Sequence, residues 1–338
     1  MLRWLLARLL WLVAMLLGIT FVTFVVIDQA PVDRAELRIG DPATERSFVD
    51  PAARAAAIRQ LRIRYGMVDP VTNEPAPLAE RYAAWLGNAA RFRFAGPHED
   101  DAALRARIAG AWPVTAWLGG LALLVAFAIG IPVGVWLGQR VGSRAERTAS
   151  VGMLVGAGLP EFLLATLLLL AFSSAWLQWL PASGLRTPGS EQWSLAAQLV
   201  DHARHLLLPV AVTALAPTVL VARFVRDAVA RAARAPFVAA LHALGQPAAV
   251  VRARLRRHGL TPVATLVGSL LPMVVGGSIV VENLFALDGL GHLAFTATMQ
   301  LDQPLLMALV VLGSLVTLAG FVLSDALHRL VDPRVRWR

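Results

Sequence analysis

The sequence has no cysteine, which excludes disulfide frameworks, thiol nucleophiles and cysteine-ligated metal sites. It also has no lysine, so all 31 basic residues are arginine. A phosphate loop of the Gly-x4-Gly-Lys-Ser/Thr kind needs its lysine, so the chain cannot bind and hydrolyse a nucleotide in that manner. It contains no His-Glu-x2-His helix and no Gly-x-Ser-x-Gly elbow, which removes two common hydrolase signatures. The seven histidines are scattered, with His202 and His205 the closest pair, and are read as plain polar residues rather than metal ligands.

Charge is scarce as well. Only 16% of the 338 residues are charged, against about 25% in a soluble domain. Hydrophobic residues make up 57% of the chain, and mean hydropathy is +0.63. Long apolar runs with few charges point to an all-α, multi-span membrane protein. The net charge of +9 is compatible with nucleic-acid binding, but the arginines sit at the ends of apolar runs, which favours the membrane and no nucleic acid.

The first run, Leu9 to Ile27, is longer than the h-region of a secretory signal and follows Arg3 and Arg8, so it reads as an uncleaved span. Asp33 to Ile108 is polar, with twelve arginines against eleven acids, and contains two helical pieces, Ala52 to Tyr65 and Leu78 to Ala90. It reads as a folded extracytoplasmic insert. Further spans are expected at 112–137, 148–172, 205–225, 262–285 and 304–323. Gly130, Pro132 and Gly134 read as a kink-permitting cluster, and Gly152 with Gly156 as a close-packing face. Pro160-Glu161 interrupts the third span, and Pro209 and Pro217 fall inside the fourth. The segment 173–204 reads as an external loop whose Trp176, Trp179 and Trp193 suit an interfacial belt.

Six spans with the N-terminus inside give inside segments of 17 arginines and four acids, +13. Outside segments then hold 14 arginines and 18 acids, −4, as the positive-inside rule expects. The longest inside segment, Val221 to Pro262, carries arginine clusters on either side of the small-residue stretch Ala235 to Ala249. Gly245-Gln246-Pro247 reads as a helix stop and restart, giving helix, turn, helix at the membrane surface. Three acids lie near spans: Glu161, Glu282 and Asp325. Either they sit at interfaces, satisfied by water or backbone amides, or they face a cavity or partner. They form no row of acids of the kind a proton relay needs.

Nearly the whole chain resembles the first permease subunit of ATP-binding-cassette importers for dipeptides, oligopeptides and nickel, the type with a long external loop after span one. The resemblance is carried by Arg3-Trp4-Leu5-Leu6-Ala7-Arg8-Leu9, Asp28-Gln29-Ala30-Pro31-Val32-Asp33 and Trp85-Leu86-Gly87-Asn88. It continues through Pro113-Val114-Thr115, Gly130-Ile131-Pro132-Val133-Gly134, Leu180-Pro181-Ala182-Ser183-Gly184 and His205-Leu206-Leu207-Leu208-Pro209. In the C-terminal third it rests on Val280-Val281-Glu282-Asn283-Leu284-Phe285, Gly289-Leu290-Gly291 and Asp332-Pro333-Arg334-Val335-Arg336.

The resemblance implies a type I importer permease fold of six transmembrane helices and no covalent chemistry. The segments are then a first span (1–28), an extracytoplasmic insert (29–110), a permease core (111–330) with a cytoplasmic coupling region (226–260), and a cytoplasmic tail (331–338). The implied ATPase-coupling residues are Phe237, Val238, Ala239, Ala240, Leu241, His242, Ala243, Leu244 and Gly245. Of the family's pattern there, the chain keeps the aromatic, the valine, one alanine and the glycine. Pro132, Pro160, Glu161, Pro209, Gly276, Gly277 and Glu282 are the candidates for the translocation path or its gating.

The implied partners are a second permease subunit, two cytoplasmic ATPases that bind the ATP, an extracytoplasmic solute-binding protein and the lipid bilayer. No cofactor is expected in this chain. The expected location is a bacterial inner membrane with both termini cytoplasmic. Di- and oligopeptides are the expected solutes, with nickel chelates or another small solute as the alternative. An ion-coupled secondary transporter would need buried acids in the path and an internal repeat. An intramembrane enzyme would need a clustered nucleophile, base or metal set.

Overall fold

The computed structural model describes residues 2–29, 51–64, 68, 77–94, 100–174, 177–259, 261–273 and 278–331. Regular structure among the described residues is helical, with no strand. The chain divides into two compact units, one of 1–109 with 294–315 and one of 110–293 with 316–338.

The first unit starts with α1 (Leu2–Asp28), whose residues from Leu10 onward are long and apolar enough to cross a membrane. Two insert helices follow, α2 (Pro51–Arg64) and α3 (Leu78–Ala89). Both match the helical pieces read from the sequence. The apolar side of α3 lies on the C-terminal half of α1. Tyr82 packs edge-on against Phe21 and Phe24, and Trp85 stacks beside Tyr82. The Tyr82 hydroxyl donates to the Leu17 carbonyl at 3.1 Å and lies 3.0 Å from Thr20 Oγ1. The Arg81 guanidinium forks onto the Asp28 carboxylate, one arm at 2.8 Å. Asp28 therefore has a structural task at the end of α1. Arg107 likewise donates to Asp302 at 2.9 Å, and Asp302 accepts from the Leu305 amide at 3.1 Å.

The second unit is built on two long helices. Helix α4 (Asp101–Gly138) continues into it through Pro113 and Pro132, and α7 (Leu195–Ala233) runs through Pro209 and Pro217. At 1.5 Å per residue each is about 57 Å long, nearly twice the hydrocarbon thickness. Pro132 and Pro209 lie inside these continuous helices, and one sequence reading is corrected: the expected external loop 173–204 becomes helical from Leu195.

The glycines of α4 also act differently from the expectation. Ala122, Ala126, Gly130, Gly134 and Gly138 recur every four residues and form one buried ridge. A Cβ on Gly130 would come within 2.9 Å of the Thr218 carbonyl oxygen, and one on Gly134 within 2.5 Å of that of Ala222. A Cβ on Gly138 would meet the Arg226 carbonyl oxygen at 2.7 Å. These residues permit close approach of two backbones, while Pro132 lies exposed on the other side of the helix. Facing the ridge, Val221, Val225 and Val229 of α7 are fully buried and gather Leu266 and Leu270 around them. By contrast, a Cβ on Gly152 meets nothing within 4 Å, and one on Gly156 only Leu215 at 3.9 Å. The expected close-packing face at 152 and 156 is therefore open in this chain.

Span three is interrupted where the sequence places the break. Helices α5 (Arg144–Gly158) and α6 (Glu161–Leu169) meet at an angle of 94°. Pro160 disfavours helical backbone at Leu159, which is extended, with ψ at 133°. The chain then makes a π-turn over Leu170–Ser174.

Helices α8 (Pro236–Ala243) and α9 (Ala248–Gly259) follow α7. Span five, expected as one helix, is divided into α10 (Thr261–Leu270) and α11 (Ile279–Leu284). Gly276 and Gly277 lie outside the described residues. Helices α12 (Leu290–Met299) and α13 (Gln303–Val331) complete the chain. A Cβ on Gly268 of α10 would overlap the Ser324 backbone of α13, a second close helix crossing. Among the described residues, four helices are long and apolar enough to cross a membrane, or five if α5 and α6 form one broken span.

Candidate functional site

The stretch read as helix, turn, helix forms a hairpin from α8 and α9. Pro236 occupies the first turn of α8, where its missing N–H costs nothing. Val238 and Leu241 are buried against Val251 and Leu255 of α9, with Ala232 and Phe237 at the edge. Gly245 closes α8 with φ at +66°, the left-handed conformation that glycine adopts freely. Its amide donates to the His242 carbonyl, and that of Gln246 to the Leu241 carbonyl, both at 3.0 Å. Pro247 starts α9 by accepting from the Val250 amide at 2.9 Å.

The nine expected coupling residues therefore separate by side. Val238 and Leu241 are buried, and Phe237 is half-buried. Ala239, Ala240, His242, Ala243, Leu244 and Gly245 are exposed, Leu244 at 73%. The result is a short, apolar, small-residue surface on a packed base.

An ion network near the C-terminal end of α7 was not singled out in the sequence. Arg226 donates to Glu146 Oε1 through Nη2 at 2.7 Å and Nε at 3.0 Å, and to Asp227 through Nη1 at 2.7 Å. Glu146 is buried and also accepts from Ser150 at 3.1 Å and the Gly142 amide at 3.3 Å. It ties the start of α5 to α7. The available signal was Ser143-x2-Glu146, a capping-box spacing; Ser143 Oγ accepts from the Glu146 amide at 3.1 Å.

On the expected outer side, Asp201 is buried in α7 and accepts from the Thr187 amide at 2.8 Å and its hydroxyl at 2.7 Å. His205, also buried, places Nδ1 2.9 Å from the Asp201 carbonyl oxygen. These contacts fasten the segment before α7 to that helix.

The two acids chosen as path candidates have contrasting environments. Glu282 on α11 is 0% exposed. Its carboxylate accepts from the Thr115 hydroxyl and the His292 amide, each at 2.9 Å. Thr115 Oγ1 in turn accepts from the Leu290 amide at 2.7 Å. Gly289 and Gly291 leave the room: a Cβ on either would meet Glu282 Oε2, at 2.9 Å from Gly291. Glu282 thus satisfies the first amides of α12 and ties α4 to α11. The glutamate, the threonine and the two glycines of three motifs quoted above thus meet in one buried site.

Glu161 is half-buried at the start of α6 and accepts a hydrogen bond from Ser278 Oγ at 2.9 Å. Ser278 caps α11, accepting from the Val281 amide at 3.1 Å. The structure therefore joins the break after Pro160 to the start of α11. Among the described residues, no group of three or more potential ligands could hold a metal ion.

Comparison with known proteins agrees with this architecture. Residues 130–337 match the family model described as binding-protein-dependent transport system inner membrane component. The chain is 29% identical to the oligopeptide transport system permease protein AppB of Bacillus subtilis, covering all of both chains. It is 27% identical to the di/tripeptide transport system permease protein DppB of Pseudomonas aeruginosa, over 99% of each. It is 26% identical to the oligopeptide transport system permease protein OppB of Salmonella typhimurium, over all of both. With the family model covering well over half its length, this multi-pass helical membrane protein belongs to the family of binding-protein-dependent transport system inner membrane components.

Proposed function

We propose that the chain is one permease subunit of an ATP-driven, binding-protein-dependent importer of di- and oligopeptides. The observation that carries this reading is the α8–α9 hairpin. It follows directly on the longest helix of the second unit, has its own packed base, and leaves the apolar surface around Leu244 uncovered. Such a surface suits docking of a soluble subunit, and the arginine excess of its segment favours the cytoplasmic side. The peptide solute is carried over from the names of the full-length relatives.

In this reading the chain crosses the membrane six times, with both termini inside. Helices α10 and α11 form the interrupted fifth span, and residues 29–110 form the extracytoplasmic insert. A second permease subunit completes the path, two ATPases bind the nucleotide, and an external protein delivers the solute. The chain performs no covalent chemistry and holds no cofactor. ATP needs only to bind one arrangement of the assembly more tightly than the other to drive alternating access.

The test is reconstitution of the assembled complex in proteoliposomes, followed by uptake of a radiolabelled dipeptide and a nickel chelate. ATP-dependent dipeptide uptake that disappears with Leu244→Asp supports the reading. Uptake that continues without the ATPases, or full coupling in the Leu244→Asp complex, overturns it. Nickel-chelate uptake alone would retain the importer and replace its solute.

A further inference from the structure

Two carboxylates lie at the interrupted spans, and the structure treats them differently. Glu282 is sealed from solvent and occupied by donors. Glu161 is half-buried, and its only hydrogen bond among the described residues comes from one hydroxyl, that of Ser278. No ion pair of Glu161 is formed among the described residues. Arginines are abundant in this chain, yet those described nearest in sequence are Arg147 and Arg186, well outside the break.

Depth follows from the packing of α5 and α6 on α7. Ala165, one turn beyond Glu161, packs in the cluster of Leu208, Val210 and Val212. Gly156, on the other side of the break, faces Leu215. Leu215 is ten residues beyond His205, where the span is expected to begin, or about 15 Å along the helix. That is half of a hydrocarbon core of about 30 Å. Glu161 therefore lies within the expected hydrocarbon depth, between the ends of two helices. Irregular backbone at such depth is tolerated where it is buried in protein or lines a water-filled cavity. An under-occupied carboxylate there tends to face that cavity and to have a counter-charge.

We infer that Glu161 is a cation-recognising residue of the translocation path, where its carboxylate meets the ammonium group of a passing solute. The inference deepens the permease reading and rests on it. It makes free-amine or basic solutes the favoured class for this chain. Ser278 holds the carboxylate at the break as its positioning partner.

Because the chain has no cysteine, a single thiol can report on the site. Ser278→Cys is introduced into the full chain in its native membranes, opened so that reagents reach both faces. It is treated with a trimethylammonium methanethiosulfonate and with the sulfonate counterpart. Leu159→Cys serves as a second reporter, since it leaves the α11 cap intact. The cationic reagent is expected to react roughly tenfold faster than the anionic one, from a single charge several ångströms away in a partly wet site. Adding Glu161→Gln is expected to remove most of that preference, and Glu161→Asp to keep it. If neither reporter reacts, or if Glu161→Gln leaves the preference unchanged at every reporter that does, the inference is overturned. The assay needs no transport, so a complex that fails to import peptide overturns the permease reading and leaves this measurement to stand or fall separately.

Discussion

Single residues carry two kinds of task in this protein, and substitution separates them. Gly134 has its α-carbon against the backbone of α7, so a side chain there must push two long helices apart. Overpacking of this sort costs about 1–3 kcal/mol. Gly134→Ala is expected to lower the melting temperature of the detergent-solubilised protein, followed through its tryptophan fluorescence. Gly152→Ala, with open space around it, is expected to leave that temperature unchanged or to raise it slightly. The knot at Glu282 makes a different prediction, because its parts are polar and sealed. Glu282→Ala leaves the His292 amide and the Thr115 hydroxyl without their acceptor, at about 1–3 kcal/mol. Thr115→Val removes the bridge between that carboxylate and the Leu290 amide. The two changes share partners, so their combined effect on melting temperature should fall clearly short of the sum. Additive losses would show that the knot is not one unit.

At the scale of elements, the sequence shows well where helices exist and less well what their punctuation does. Apolar runs, Pro160 and the Gly245-Gln246-Pro247 turn are local signals, and the corresponding elements stand where those signals place them. The ridge on α4 was present in the sequence as Gly130, Pro132 and Gly134, but local reading took it for a kink. Its meaning depends on α7, nearly ninety residues away, whose Ala222 and Val225 occupy the space the glycines leave. Pro132 and Pro209 sit inside continuous helices, where the lost hydrogen bond is absorbed without a break. The Glu146–Arg226 pairing joins segments 80 residues apart in sequence, and charge counting sees such residues only as topology marks. The association of α3 with α1 belongs to the same class. It rests on Tyr82 and Trp85 against Phe21 and Phe24, with the Arg81–Asp28 pair at the rim. That pair is bidentate but sits at the rim and is worth about 1 kcal/mol, less than the loss of a packed aromatic side chain, about 3–5 kcal/mol. Tyr82→Ala, which removes the aromatic anchor, is therefore expected to speed protease cleavage of the insert far more than Arg81→Gln does. Equal sensitivity in the two variants would place the stabilisation in the ion pair instead.

For the whole molecule, the outstanding question is which ends of these helices face the cytoplasm. Among the described residues four helices are long and apolar enough to cross a membrane, or five with the broken pair, and α10 and α11 are each too short to cross alone. Six crossings are recovered only if α10 and α11 are counted as one interrupted span, and the charge argument then assigns the sides: +13 inside and −4 outside. Losing the third or the fourth crossing alone would put the α8–α9 hairpin and the α5 start on opposite sides, yet Glu146 of α5 and Arg226 of α7 are bonded to each other. Continuous α7, about 57 Å of helix, also stands between Gln192, three residues before its first residue, and Ala240, which lies in α8 beyond its last. The two positions are exposed and must lie on opposite faces if α7 crosses once. The cysteine-free background makes the measurement direct. In intact cells a membrane-impermeant maleimide is expected to label Gln192→Cys and to spare Ala240→Cys, and in inverted vesicles the pattern reverses. The opposite result would turn the molecule over and place the hairpin where no cytoplasmic ATPase could reach it. Labelling of both positions from one side would mean that α7 does not cross, and would remove the basis for treating α8 and α9 as the link to an energy source.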